Sequence, residues 1–311
     1  MKEQIDIDTV RQTLPVRIVE GREQVMSTRR VRSMRSALLN GVVYLFLIIM
    51  SIFALFPIYY VIQASFAGGQ NLYTTDVHLL PSHPTFDNYI YSFTQLPILN
   101  WIFNTFVVSG LATLLGVICS TMGAYALSRF RFSGRRLTLR GLLALQAFPA
   151  LLALPAYYLL LNALGLVNNL LGLVLIYAAG ALVFSCWNTK SYIDTLPVEL
   201  EQAALLDGAT HTRAFWHIVL PLITPALAVS ALLSFIVGWN EFALANLVLN
   251  ANGTGSNLTF ILGLYSLQSD FRTPWGIFAA ASIIISIPLM LIFLYAQHFF
   301  KSGLTIGSMA N

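Results

Sequence analysis

The sequence predicts an all-α polytopic membrane protein with six transmembrane helices and both termini in the cytoplasm. Three observations predict it. Of 311 residues, 57% are hydrophobic and only 10% are charged, against about 25% charged in ordinary soluble domains. The mean hydropathy of +0.73 is too high for a chain whose whole surface meets water. The basic residues, finally, gather in segments that alternate with long apolar runs.

A window of about 20 residues gives the spans. They run near 38–65, 98–128, 142–164, 170–187, 222–249 and 275–300. The N-terminal tail carries Lys2, Arg11, Arg17, Arg22, Arg29, Arg30, Arg32 and Arg35. Arg129, Arg131, Arg135, Arg136 and Arg140 follow span two, Lys190 and Arg213 follow span four, and Lys301 follows span six. With six spans all these lie on one side and only Arg272 on the other. The positive-inside rule makes that side the cytoplasm. The chain then divides into a basic tail (1–37), a six-helix domain (38–300) with a cytoplasmic loop at 189–221, and a short cytoplasmic tail (301–311). The first tail is not a secretory signal, because no apolar core follows soon after the start. The basic groups read as topology signals and lipid contacts, so no nucleic acid is expected as a partner.

Outside the spans, 68–97 holds a Gly-Gly pair, Pro81, Pro84 and several aromatics, and reads as a structured loop. The 250–274 segment opens with the turn-rich run 251–257. Leu258 to Gly263 is apolar but too short to span, which suggests a re-entrant piece. Cys119 and Cys186 both fall inside spans, so they read as packing residues and not as a disulfide.

Much chemistry is missing. The lysines are Lys2, Lys190 and Lys301, and none follows a glycine, so no phosphate-cradling G-x-x-x-x-G-K-[ST] loop exists. Neither H-E-x-x-H nor G-x-S-x-G occurs. His78, His83, His211, His217 and His298 form no pair at metal-ligand spacing on a predicted helix. The chain is therefore expected to be no enzyme, with no catalytic residue, metal site or cofactor of its own.

The loop between spans four and five is the most informative segment. Pro197 suits a first helical turn, and Glu199 and Glu201 suit its positive end. Gly208 suits its C-terminal end. A short helix within 197–210 follows, then a second helical stretch, then Leu220-Pro221 entering the membrane. Ala203, Ala204 and Gly208 would offer a flat face to another protein.

These residues resemble a known family. ABC importer permeases of bacteria and archaea carry E-A-A-x-x-x-G, nine residues, then I-x-L-P. Here Gln202-Ala203-Ala204, three residues, Gly208, nine residues and Ile218-Val219-Leu220-Pro221 keep that spacing. Gln202 stands where the family usually has Glu, and Glu201 places a carboxylate one residue earlier. Asp207-Gly208-Ala209-Thr210 and Trp239-Asn240-Glu241-Phe242 resemble the sugar-importer branch. Gly303-Leu304-Thr305-Ile306-Gly307 resembles the ending of the second permease in maltose-type importers.

The resemblance implies the type I ABC importer permease architecture in a cell inner membrane. A sister permease would complete the pathway. Two ATP-binding subunits would hold the ATP and Mg and dock on Glu201, Gln202, Ala203, Ala204, Asp207, Gly208, Ile218, Leu220 and Pro221. An extracytoplasmic binding protein would deliver a sugar or oligosaccharide. An amino-acid or peptide importer is the alternative within the class. An ion-coupled secondary transporter would want several intramembrane carboxylates, and only Glu241 is prominent. A carboxylate at mid-helix costs about 2.5–3.5 kcal/mol, so Glu241 should face the bundle interior. Two readings stand for it. With Trp239 and Asn240 it lines a substrate path, or it fixes helix packing.

Overall fold

Backbone N–H and C=O groups have no partners in hydrocarbon, so a spanning chain must satisfy them internally. The computed structural model does so with helices. It describes residues 17–68, 80–81, 83–249, 257–268 and 274–308, with side chains between 39 and 297 of those. Among the described residues the only pairing of β type is an isolated bridge between Ala67 and Pro84. The first sixteen residues, all but the last residue of the turn-rich run 251–257, and the last three residues lie outside the description.

Two units make up the chain, 1–60 and 61–311. In the first, α1 (Arg17–Ser65) begins well before the first span, so the basic tail is helical from Arg17 onward. Its apolar part, Leu39–Ser65, is long enough to cross a bilayer. Every described side chain from Leu39 to Tyr60 is exposed.

In the second unit, α2 (Asp87–Thr94) is a short helix held by Asn88 and Tyr89. Asn88 Nδ2 donates to the Ser65 and Ala67 carbonyls at 3.0 and 3.1 Å, and the Tyr89 hydroxyl lies 2.8 Å from Ser65 Oγ. The loop predicted at 68–97 is therefore ordered over its described part. Then come α3 (Ile98–Arg129), α4 (Arg135–Ala147), α5 (Leu154–Ala163), α6 (Leu170–Ile193) and α7 (Glu199–Leu206). Next are α8 (His211–Trp239), α9 (Ala243–Val248), α10 (Phe260–Tyr265) and α11 (Trp275–Ser308). The C-terminal motif at 303–307 lies on the helical end of α11.

Five helices are long and apolar enough to span, and a bent pair would make the sixth. That pair corrects the third span. Instead of one helix over 142–164, α4 and α5 meet at 96°. The cause is local. Pro149 forces Phe148 into an extended conformation (ψ 129), and a 3₁₀ turn at Ala150–Ala153 redirects the chain. The fourth span runs on past Trp187 to Ile193. The fifth ends ten residues earlier than expected, at Trp239. Its start contains a π-turn at Phe215–Val219. Pro221 has no N–H to give the His217 carbonyl, and the widened turn absorbs that missing bond.

Helix α3 organises the bundle. Ala112, Gly116, Ser120 and Ala124 recur every four residues and all are buried. Such a small-residue stripe lets two backbones approach closely. At Gly116 a Cβ would lie 2.7 Å from Ala181 Cβ and 2.9 Å from the Ala178 carbonyl oxygen, so α6 packs directly on this glycine. One buried cluster joins Ile98, Trp101, Leu173, Val248, Phe260 and Leu262 at one end of α3. A second joins Tyr125, Leu127, Ile193, Phe215, Val219 and Ile223 at the other. The apolar 258–263 piece is not adrift. The Asn104 amide donates to the Leu258 carbonyl at 3.0 Å, and Phe260 N–H donates to Thr105 Oγ1 at 2.8 Å.

Gly116→Ile should separate α3 from α6 and destabilise the detergent-solubilised chain by about 1–3 kcal/mol. Thermal unfolding checks this. A melting temperature equal to that of the unsubstituted chain would contradict the close packing.

Candidate functional site

An eight-residue helix is too short to hold itself in water, so α7 depends on its ends and its anchor. At its end Gly208 has φ +85, a left-handed conformation that suits glycine. Gly208 N–H donates to the Leu205 carbonyl at 3.1 Å and Ala209 N–H to the Ala204 carbonyl at 2.9 Å. This six-to-one, five-to-two pairing closes the helix as a Schellman motif. Thr210 then begins α8, its hydroxyl accepting from Arg213 N–H at 3.3 Å.

The anchor is Glu201. Its side chain is only 9% exposed, and Arg129 Nε reaches Oε1 at 2.5 Å. The Tyr125 hydroxyl donates to Oε2 at 2.9 Å. Arg129 Nη2 also donates to the Leu196 carbonyl at 3.1 Å. Tyr125 packs on Phe215 with ring centroids 4.8 Å apart, and Phe130 meets His211 edge-on at 5.7 Å. A second tether lies beside the first. Asp194 takes a hydrogen bond from Ser128 Oγ and one from Lys190 Nζ, both at 2.5 Å. Burial works against the Asp194 charge, but those bonds, with the Lys190 and Arg135 charges, outweigh it and hold its carboxyl below the usual range. Its contribution is present above the ordinary carboxylate pKa and is lost as pH falls through the lowered value.

The outward face of α7 is Glu199, Gln202, Ala203 and Leu206, all exposed. Ala204 is half-buried, while Asp207 and Gly208 are exposed at the end. Leu206, the last residue of α7, is 89% exposed, a bare leucine at the C-terminal end of this face. Sequence reading passed over it because it occupies a variable position of the signature. Of the downstream residues, Pro221 is exposed, and Ile218 and Leu220 are half-buried. Thus Glu201 turns inward while its neighbours Gln202 and Ala203 face out.

The three residues proposed for a path separate. Trp239 is buried against Phe235, with centroids 5.3 Å apart. Asn240 is exposed, and its amide donates back to the Ile236 carbonyl at 2.8 Å. Glu241 does not sit mid-helix. It lies in the break between α8 and α9, where its carboxylate accepts from Leu244 N–H at 2.8 Å, from Ala245 N–H at 3.1 Å and from the Tyr177 hydroxyl. The first two cap α9, satisfying N–H groups that its first turn would otherwise leave open. Glu241 also borders a largely apolar cavity of about 490 Å³ with Thr113, Tyr157, Tyr177, Phe184 and Ser234. Among the described residues no cluster of three or more His, Cys, Asp or Glu side chains could hold a metal.

A bundle of helices long and apolar enough to cross a membrane, with one braced, exposed helix at its end, defines a class: an integral membrane protein. Residues 112–305 match the family described as binding-protein-dependent transport system inner membrane component, and the chain belongs to it. It is 37% identical over 269 residues to a galactooligosaccharides transport system permease protein of Bacillus subtilis (strain 168), covering 85% of this chain and 93% of that one. It is 35% identical over 271 residues to a maltose/maltodextrin transport system permease protein of Vibrio parahaemolyticus, covering 81% and 90%. Among solved structures, a bacterial ABC transporter involved in the import of the acidic polysaccharide alginate matches with a TM-score of 0.74 and 24% identity, over 86% of this chain and 98% of that one. At that identity the likeness speaks for the fold.

Two outcomes follow from this geometry. Gly208→Ala should loosen the loop by about 1 kcal/mol, while the larger Gly208→Asn, which tolerates a left-handed backbone, should cost less. Limited proteolysis at the end of α7 reads the order, and equal protection of both variants would contradict it. Glu241→Gln exchanges one acceptor for a donor and should lower the thermal stability of the chain by about 1 kcal/mol. No change would remove the capping role.

Proposed function

We propose that this chain is one permease subunit of an ATP-driven importer of a sugar or oligosaccharide in a cell inner membrane. A sister permease completes the pathway, two ATP-binding subunits dock beneath it, and an extracytoplasmic binding protein supplies the saccharide. ATP and Mg belong to the ATP-binding subunits. Both termini and the α7 segment lie in the cytoplasm, a reading supported by the basic residues at 129–140, Lys190 and Arg213.

The observation that carries the coupling role is the outward face of α7, with Leu206 bare at its C-terminal end. An exposed leucine between Gln202 and Asp207 suits a cleft in a partner, and a nucleotide-driven change in that cleft would shift the bundle between inward-open and outward-open states. The saccharide is supported by the relatives' substrates, galactooligosaccharides and maltodextrins, which favour it over an amino acid or peptide. For Glu241 the capping bonds favour packing, with the cavity beside it as a reason to test a path role.

ATP-dependent uptake of maltotriose or a galactotriose by the reconstituted complex tests this reading. Leu206→Asp should weaken ATPase docking about tenfold or more, since a hot-spot side chain is replaced by a charge. Co-purification measures it. Retention of the ATPase at the unsubstituted level would contradict docking through this face.

A further inference from the structure

A coupling helix can transmit motion only to what it is fixed to. By sequence α7 is joined to α6 and α8, through loops at both ends. Loops absorb displacement through their φ and ψ angles. Yet α7 is also fixed to a helix that is neither neighbour. Both carboxylate oxygens of Glu201 are taken by α3, one by Arg129 and one by Tyr125, in a pocket that leaves the two charged side chains 10% and 9% exposed. The same Arg129 closes on the Leu196 carbonyl just before α7. Phe215 and His211, just after α7, rest on Tyr125 and Phe130.

A buried ion pair is weak evidence for stability, because desolvation cancels most of its attraction. Its geometry is specific, however. Two oxygens with two directed donors fix the rotation of α7 as well as its position. The other end of α3 is held in the same way to a distant segment. Asn104 and Thr105 bind the backbone of Leu258 and Phe260, and the Trp101 ring fills the space above Gly263. At 32 residues α3 is about 48 Å long.

We infer that Glu201, Arg129 and Tyr125 are positioning residues that lock the coupling helix onto α3, so that α3 carries its displacement across the membrane to the 258–265 segment. This rests on the importer reading above. It assigns the Glu201 carboxylate to the inside of the chain and leaves the ATPase contact to Gln202, Ala203 and Leu206. It also gives Arg129 a task distinct from topology.

The test uses the complete complex in proteoliposomes and reads saccharide molecules taken up per ATP hydrolysed, with maltotriose and a galactotriose as probes. Tyr125→Phe removes one hydroxyl and keeps the ring contacts, so folding is spared. Glu201→Gln removes the charge. The uptake-to-hydrolysis ratio should fall about fivefold for the first and about tenfold or more for the second, within the usual range of a coupling energy. Arg129→Met combined with Glu201→Gln should be no worse than the poorer single variant, since both break one link. A ratio unchanged in Tyr125→Phe and Glu201→Gln, including the case where uptake and hydrolysis fall together with yield, would overturn the inference. If the unsubstituted complex takes up neither probe, the saccharide reading fails instead.

Discussion

The buried contact between Glu201 and Arg129 is the constraint on which the rest depends. An eight-residue helix standing in water has little stability of its own. It acquires a fixed orientation because one of its carboxylates leaves water and meets a guanidinium and a phenol on α3. The small-residue stripe of α3 then brings α6 into backbone contact at Gly116. The second tether, Asp194 with Ser128 and Lys190, closes the same end of the bundle. Helix α7 and the ends of α3 and α6 thus form one block.

Much of this was legible in sequence because the physics involved is local. Long apolar runs mark spans whatever their partners. Gly208 was readable as a helix end, since its need for a left-handed backbone is set by its own missing Cβ. Pro197, Glu199, Glu201 and Gly208 mark a short helix by their own end preferences.

What escaped is what depends on distant residues. Glu201 lies 72 residues from Arg129, and nothing in either local pattern pairs them. Read alone, Glu201 seemed a substitute docking charge beside Gln202, whereas its orientation is decided by α3. Glu241 seemed to stand mid-span because a hydropathy window cannot see a helix end. Its own carboxylate caps the helix that follows, so the charge helps to make the break that accommodates it. The bend at Pro149 was marked by its proline, but the apolar run through it outweighed the signal. Leu206 gave no signal, because exposure is a property of the fold.

The central claim is that α7 and α3 move as one body when nucleotide binds. Spin labels at Leu200 and Met122, both exposed, with Cys119 and Cys186 replaced, report the distance between these helices in the assembled complex. The account predicts that this distance differs by no more than about 2 Å between nucleotide-free and ATP-bound states, while the transporter as a whole changes conformation. A change of about 5 Å, one helical turn of slip between α7 and α3, would contradict it.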